Sequence, residues 1–401
     1  MNAMNLLVPP AAAAALAPVA AAALAPGVAA PTDPAAPALS RWSSGLRRDT
    51  VERILDAARW APSGDNTQPW RFETTAQGGV VVHGFDTRTH CVYDRDGRAS
   101  QLSLGTLLQT IEIAASGHGL RAVWRRREDA PEQQPTFDIR FFADPGAPSP
   151  LIDSIEQRRV QRRPLSTRPL DAVEIAALEA AVGPGYRIQW LHSPVQRLRA
   201  ALLMFSNAKL RLTMPEAYPT HRDIIEWDAR FSADRVPDQA LGVDAATRKL
   251  MRFVLGSWGR VRFFNRFLAG TWGPRLQMDL LPGWACAAHL VLKAEQTPRS
   301  IDDHVDAGRA VQRLWLTATR LGLQKQPQMT PLIFARYLRE GTPFTAERGL
   351  QREAVALAGR LGRLLGADTN QAVWMARIGA GPAASARSLR RPLAQLMAAD
   401  R

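Results

Sequence analysis

The residues of this chain best equipped for chemistry stand in one string, Ala61-Pro62-Ser63-Gly64-Asp65-Asn66-Thr67-Gln68-Pro69-Trp70. The Ser63 and Asn66 side chains, with free backbone N–H groups around Gly64, form a donor and acceptor set that recognises the edge of a planar heterocycle. Pro69 stiffens the exit, and Trp70 is placed to bury as an anchor. An ordinary helix-to-strand connection would look similar over a shorter stretch. The second chemical group is cationic. Of 51 basic side chains only Lys209, Lys249, Lys293 and Lys325 are lysine, so the surplus is arginine, whose planar fork binds phosphate and carboxylate. Arginines gather in Arg158-Arg159-Val160-Gln161-Arg162-Arg163 and in Ser388-Leu389-Arg390-Arg391-Pro392, which follows Arg377-Ile378-Gly379. Around a dianion such groups make charge-assisted, often bidentate hydrogen bonds. Each cluster alone also suits a solvated basic face.

The elements that must position these groups alternate between helix and strand. Asp49 followed by Glu52 is a capping-box pattern, and Val51, Ile54, Leu55 and Ala58 form the stripe of an amphipathic helix that Pro62 ends. Extended runs are expected over Gln68 to Thr75 and Val80 to Phe85, then a helix from Arg98 to Ser116 and strands near 122–126 and 136–142. Three prolines and a glycine between Ala143 and Pro150 mark an internal boundary. Beyond it the pattern predicts a helix from Asp171, a strand over 187–192, a helix from Val195, a mostly helical stretch over 220–285, a buried strand over 285–294, a helix over 306–321 and a strand over 374–379. The fold class is α+β. One echo runs through it: Gly105-x-x-x-Gln109, Ala115 and Gly119-Leu120 recur as Gly308-x-x-x-Gln312, Ala318 and Gly322-Leu323 at identical spacing. That echo predicts an internal duplication, a single-chain pseudo-dimer.

Composition bounds the rest. The chain has 401 residues, 46% apolar and 22% charged, which excludes collagen-like, wholly disordered and disulfide-stapled classes. Two cysteines, Cys91 and Cys286, fit a reducing, cytoplasmic setting. The net charge of +14 accompanies abundant alanine, as coding bias would produce, so it does not make the chain a nucleic-acid binder. Residues 1–44 are rich in Ala and Pro and read as a disordered tail. They carry no basic start for a signal peptide, and prolines interrupt any span of ~20 apolar residues. Asp302-Asp303-His304-Val305-Asp306 looks metal-like but is expected to cap a helix. No H-E-x-x-H, C-x-x-C or G-x-S-x-G is present, no metal site is expected, and the remaining histidines are scattered without an assigned role.

The string at 61–70 resembles the flavin loop of the nitroreductase superfamily, A-P-S-x-x-N-x-Q-P-W, and the two arginine clusters resemble the family's phosphate-binding elements. Arginines after position 150 with the loop before it resemble the internally duplicated Acg-type branch, in which one polypeptide imitates the family's homodimer. The resemblance implies a nitroreductase-like fold with halves at 45–147 and 148–395 and a helical, lid-like insert at about 195–285. It implies one FMN per chain, contacted by Pro62, Ser63, Gly64, Asn66 and Gln68 and held at its phosphate by Arg158, Arg159, Arg162, Ser388, Arg390 and Arg391. Arg47-Arg48 would be the remnant of a degraded reciprocal site. The implied activity is transfer of hydride or electrons from NAD(P)H through FMN to an electron-poor small molecule, with no side chain needed as catalyst. A flavin-storing or regulatory protein with little turnover, or a flavin dehydrogenase in a biosynthetic pathway, is the alternative. The segment Gln324-Lys325-Gln326-Pro327-Gln328-Met329 departs from the family by lacking a carboxylate, which leaves Gln328 to address the N5 edge. The insert, with Trp227, Trp258 and Trp272, Trp284 nearby, and no acid between 245 and 268, reads as packed core, as a lid or as a membrane-surface face. The chain is expected to act on small molecules and to be capable of self-association.

Overall fold

The computed structural model describes residues 46–398; the tail expected over 1–44 lies outside them. The first half runs α1 (Arg48–Ala58), β1 (Trp70–Thr74), β2 (Val80–Gly84), α2 (Arg98–Ser116), β3 (Leu120–Arg126) and β4 (Thr136–Ala143). These strands form an antiparallel sheet in the order β1-β2-β4-β3, with Trp70 opposite Gly84 and Leu120 opposite Ala143. As the stripe predicts, α1 buries Val51, Ile54, Leu55 and Ala58. Its capping box does not form, because Asp49 accepts from the neighbouring Thr50 N–H and Glu52 is taken by Arg48 at 2.9 Å.

A short helix α3 (Ser154–Gln157) leads into the second half: α4 (Ala172–Val182), β5 (Tyr186–Leu191), β9 (Ala288–Ala294), α11 (Ile301–Arg320), β10 (Leu323–Pro327) and β11 (Ala372–Ala380). Its sheet order, β5-β9-β11-β10, is the first sheet's order repeated in the same sequence of elements. Two stretches have no counterpart in the first half. Between β5 and β9 stand α5 (Pro194–Thr213), α6 (Tyr218–Asp223), the two-residue strands β6 (Ile225–Glu226), β7 (Phe231–Ser232) and β8 (Val236–Pro237), α7 (Ala245–Leu255), α8 (Trp258–Phe267), α9 (Trp272–Arg275) and α10 (Leu281–Trp284). Between β10 and β11 stand α12 (Thr330–Glu340) and α13 (Arg348–Leu365), which the sequence pattern did not single out. The chain closes with β12 (Arg387–Ser388), paired parallel to β7, and α14 (Leu393–Leu396). Helix α11 begins five residues before the expected Asp306. Ser300 and Asp303 form its capping box, so Asp302, Asp303 and His304 lie within the first turn rather than ahead of it.

The echoing glycines account for how the halves meet. Helices α2 and α11 cross at Gly105 and Gly308, so closely that a Cβ on Gly105 would stand 1.9 Å from the Val305 carbonyl oxygen, and one on Gly308 would stand 2.0 Å from that of Leu102. One turn on, Gln312 Nε2 donates to Thr110 Oγ1 at 2.9 Å and Arg313 Nη1 to Gln109 Oε1 at 2.7 Å. Arg309 pairs with Glu112 at 2.8 Å. Glycine is needed here because the obstacle is backbone, which cannot rotate aside. Gly308→Ala should therefore destabilise the chain by more than about 3 kcal/mol, beyond an ordinary overpacking cost. Urea unfolding followed by circular dichroism checks this; a loss under ~1 kcal/mol would mean that the helices can separate without cost to the fold.

Candidate functional site

Between α1 and β1 the chain turns through a single helical turn at Gly64–Asn66. Three non-glycine residues there have left-handed backbone: Asp65 at φ 49°, Asn66 at 63° and Gln68 at 50°. Such residues cost of order 1 kcal/mol each and persist only when their surroundings hold them. The holding bonds come from far along the chain. Asn66 Nδ2 donates to the carbonyls of Arg235 and Leu389, both at 3.3 Å. Gln68 donates to the Ala233 carbonyl at 2.9 Å, and its Oε1 accepts from the Arg391 N–H at 2.9 Å. Within the loop, Ser63 Oγ accepts from the Gln68 N–H at 2.9 Å. From α2, Thr106 Oγ1 donates to the Pro62 carbonyl at 2.8 Å.

This turn forms one wall of a cavity of about 380 Å³. Pro62, Ser63, Gly64 and Asn66 line it, and so do Arg158, Arg159, Arg162, Ser388 and Arg390. The cavity thus gathers nine of the twelve residues singled out in the sequence. Gln68, Arg391 and Gln328 stand outside it. Gln68 is buried as the loop's internal strut, and Arg391 pairs with Asp234 at 3.1 Å. Gln328 is buried with its amide 2.7 Å from His289 Nδ1, while its neighbours Gln326, Pro327 and Met329 face the cavity. Arg47 and Arg48 are instead exposed and paired with Asp49 and Glu52.

The electrostatics of the wall are one-sided. Among the described residues, Arg158, Arg159, Arg162, Arg387 and Arg390 form no ion pair with a carboxylate. Their guanidiniums rest on backbone carbonyls: Arg158 on Trp60 at 2.8 Å, Arg159 on Ala384 at 3.0 Å, Arg162 on Ala240 at 3.1 Å, Arg387 on Glu156 at 2.7 Å and Arg390 on Ala61 at 2.9 Å. Arg158 also lies over the Trp315 ring, 4.8 Å from its centroid, and its Nε has no partner. Burial first, then Arg387, pulls the Arg158 pKa down to about 9. Arg390 is held well below its usual range by burial and then by Arg158, Arg387 and Arg59. Guanidinium keeps its proton at neutral pH, so these shifts express the cost of burying the charge first and repulsion between neighbouring arginines second, and a bound anion would offset both. Behind the wall Arg377 donates to the carbonyls of Gln161 and Arg163 at 3.0 and 2.9 Å, which fixes the segment carrying Arg162.

The cavity also carries groups to which the sequence assigned no role. Asp65 is its one acidic side chain among the lining residues; burial raises its pKa, and Arg162 and Arg211 partly offset that. Tyr93 Oη lies 2.6 Å from His221 Nε2, and Arg211 pairs with Asp279 at 3.4 Å. No local motif marks His221, since its partner is 128 residues away.

Comparisons with known proteins agree with the loop. The family model described as "Nitroreductase family" matches residues 43–81, which include α1, the turn and β1. "Putative NAD(P)H nitroreductase Rv3131" of Mycobacterium tuberculosis (strain ATCC 25618 / H37Rv) is 28% identical over 290 residues, covering 72% of this chain and 78% of that protein. Distant likenesses extend to the FMN-dependent nitroreductase NfnB from Mycobacterium smegmatis, at 15% identity over 62% of this chain and 96% of that one, with a TM-score of 0.35. A nitroreductase with bound FMN from Bacteroides fragilis NCTC 9343 is 11% identical over 58% of this chain and 89% of that one, with a TM-score of 0.29. The sequence matches relate the chain to the nitroreductase superfamily. Among the described residues no helix is long and apolar enough to cross a membrane.

The buried His221 gives a pH prediction. Burial, and then Arg211, lowers its pKa from 6.5 to about 3. The unfolded chain therefore binds a proton that the folded one refuses, and the stability contributed by the neutral ring is lost as pH falls below ~6.5. Between pH 7 and pH 5 this site alone should remove about 2 kcal/mol. His221→Gln should lose about that much less over the same interval; parallel urea midpoints for the two proteins would show that His221 is not the group refusing the proton.

Proposed function

We propose that the cavity binds FMN and that the chain is an FMN-dependent oxidoreductase, carrying reducing equivalents from NAD(P)H to an electron-poor small molecule. The observation that carries this reading is the meeting, in one cavity, of the strained Ser63–Asn66 turn with five guanidiniums that form no ion pair among the described residues. The residues fit the group. Arg158 Nε is a buried donor without an acceptor, Asn66 Oδ1 a buried acceptor without a donor, and a Cβ on Gly64 would meet nothing within 4 Å, so the turn leaves room for a flat ring.

When bound, FMN supplies the hydride-accepting and hydride-donating centre that no side chain offers. In this reading Arg158, Arg159, Arg162, Ser388 and Arg390 hold the phosphate, with Arg387 added from the cavity wall. Pro62, Ser63, Gly64 and Asn66 meet the ring from the other side. Gln68 and Arg391 act at one remove, as positioning residues: one side chain ties the turn to the other's backbone. Gln328 steadies His289 beneath the segment over 326–329, whose Gln326 and Met329 take the place at the cavity. The Tyr93 hydroxyl and the neutral His221 ring also line the cavity, and solvent can provide the proton that a reduced acceptor requires.

The matching strand orders and the Gly105–Gly308 crossing support a diverged internal duplication with halves at 45–147 and 148–395. The turn would then come from the first half and the phosphate site from the second. A low-turnover, flavin-storing role is the second reading. It is favoured by His221, Ile224, Val236 and Ala240, through which the insert contributes to the cavity lining.

Arg158→Ala combined with Arg390→Ala should weaken FMN binding at least about 100-fold, since two charge-assisted bonds of roughly 1.5–3 kcal/mol each are lost. The fold should remain, as reported by far-ultraviolet circular dichroism. Full flavin occupancy in the purified double variant would refute the phosphate assignment. Anaerobic addition of NADPH or NADH to the yellow wild-type protein separates the two roles. Bleaching that a nitroaromatic reverses is the enzyme's behaviour, and a flavin that neither nucleotide reduces is a store.

A further inference from the structure

A second cavity, of about 430 Å³, lies within the insert. Its wall is aliphatic and aromatic, with Val254, Trp258, Val261, Phe264 and Trp272 prominent. The polar side chains on it are engaged elsewhere: Asn265 Nδ2 donates to the Leu212 carbonyl at 3.1 Å, and Thr247 Oγ1 lies 2.9 Å from Asp244. Thr271 Oγ1 accepts from Arg275 at 3.4 Å. An ionic occupant would lose its hydration without gaining a free partner, which is costly. The volume falls in the range of pockets for small organic ligands, roughly 300–1,000 Å³.

Both ends of this chamber are defined. Leu250, Leu268 and Trp272 line it and yet are 48%, 56% and 53% exposed, so its mouth opens on the outer face of the insert. At the inner end Arg211 and His221 line both this chamber and the cavity described above. Arg211 is occupied by Asp279 and His221 by Tyr93, so the junction is polar without offering an uncompensated charge. The aromatic wall favours a flat occupant, since ring pairs add about 0.5–1.5 kcal/mol beyond their buried area.

We propose that this chamber binds an uncharged, apolar, planar ring compound bearing an alkyl chain, next to the first cavity. Its service as a substrate of the proposed oxidoreductase rests on the FMN reading; its binding does not. The probe is 2-methyl-1,4-naphthoquinone with an alkyl chain at position 3, titrated against tryptophan fluorescence, because Trp258 and Trp272 stand in the wall. Saturable quenching is expected in the full chain, absent for a sulfonated analogue, and retained in the Arg158→Ala/Arg390→Ala variant. Val254→Phe, which fills the chamber, should raise the Kd at least tenfold, and Leu250→Asp at the exposed mouth should raise it as well.

Absence of saturable quenching overturns the proposal, as does an unchanged Kd in both chamber variants. Loss of binding in the arginine variant with retention in Val254→Phe also overturns it, by placing the probe in the first cavity. A wild-type protein that carries no flavin but shows the expected pattern refutes the FMN reading alone and leaves the chamber as a binding site.

Discussion

The closest constraint in this molecule is backbone against backbone at Gly105 and Gly308. Two helices that cross without intervening side chains hold the halves at a separation no flexible contact could set. The bonds one turn away, Gln312 to Thr110 and Arg313 to Gln109, fix their rotation as well. Helix α2 carries Thr106, which binds the carbonyl of Pro62, so the crossing reaches the strained turn through one hydrogen bond. Placement of the turn against the later arginines depends on this geometry.

What the geometry assembles is a deliberate electrostatic imbalance. Other arginines find carboxylates, Arg126 with Asp302 away from the cavity and Arg336 with Asp96 and Arg98 with Glu340 in its lining. Around the cavity five do not, and their hydrogen bonds go to carbonyl oxygens, which satisfy donors without cancelling charge. Buried cations left in this state repel one another and lower the stability of the empty fold, and an arriving dianion regains that free energy as affinity. The same logic separates the two cavities. The first is cationic and suits an anionic cofactor, whereas the second is apolar, with its polar groups already engaged. Tyr93, His221 and Arg211 mark where one environment gives way to the other.

Much of the framework was legible in the chain because it is written locally. Helix α2 spans the predicted Arg98–Ser116, and the Asp171 cap is followed by a helix at Ala172. Errors fell where a local pattern had a competitor. Asp49 bonds its own neighbour instead of capping α1, and α11 starts before the expected Asp306, with Ser300 as its N-cap and Asp303 completing the cap from within the first turn. The packed-core reading of the insert's tryptophans fails for Trp272 and Trp284, which are 53% and 54% exposed. The sequence pattern did not single out α12, whose buried residues run consecutively over Pro331–Phe334, nor α13, which buries the stripe Leu357, Leu361 and Leu365.

The sequence by itself determined the chemical inventory: a Ser–Gly–Asp–Asn turn behind a proline, two arginine clusters, and a glycine repeated at one register in two helices. Those are properties of residue type and spacing, and short-range physics suffices to read them. Only the tertiary structure decided which members face one cavity. Gln68, Gln328 and Arg391 were equal candidates in the sequence, yet each is taken up by a partner from another segment: Ala233, His289 and Asp234. His221, which no motif marked, lines the cavity paired with Tyr93. Such choices depend on hydrogen bonds between residues a hundred or more positions apart in most of these cases, and chain order alone does not encode which of them close.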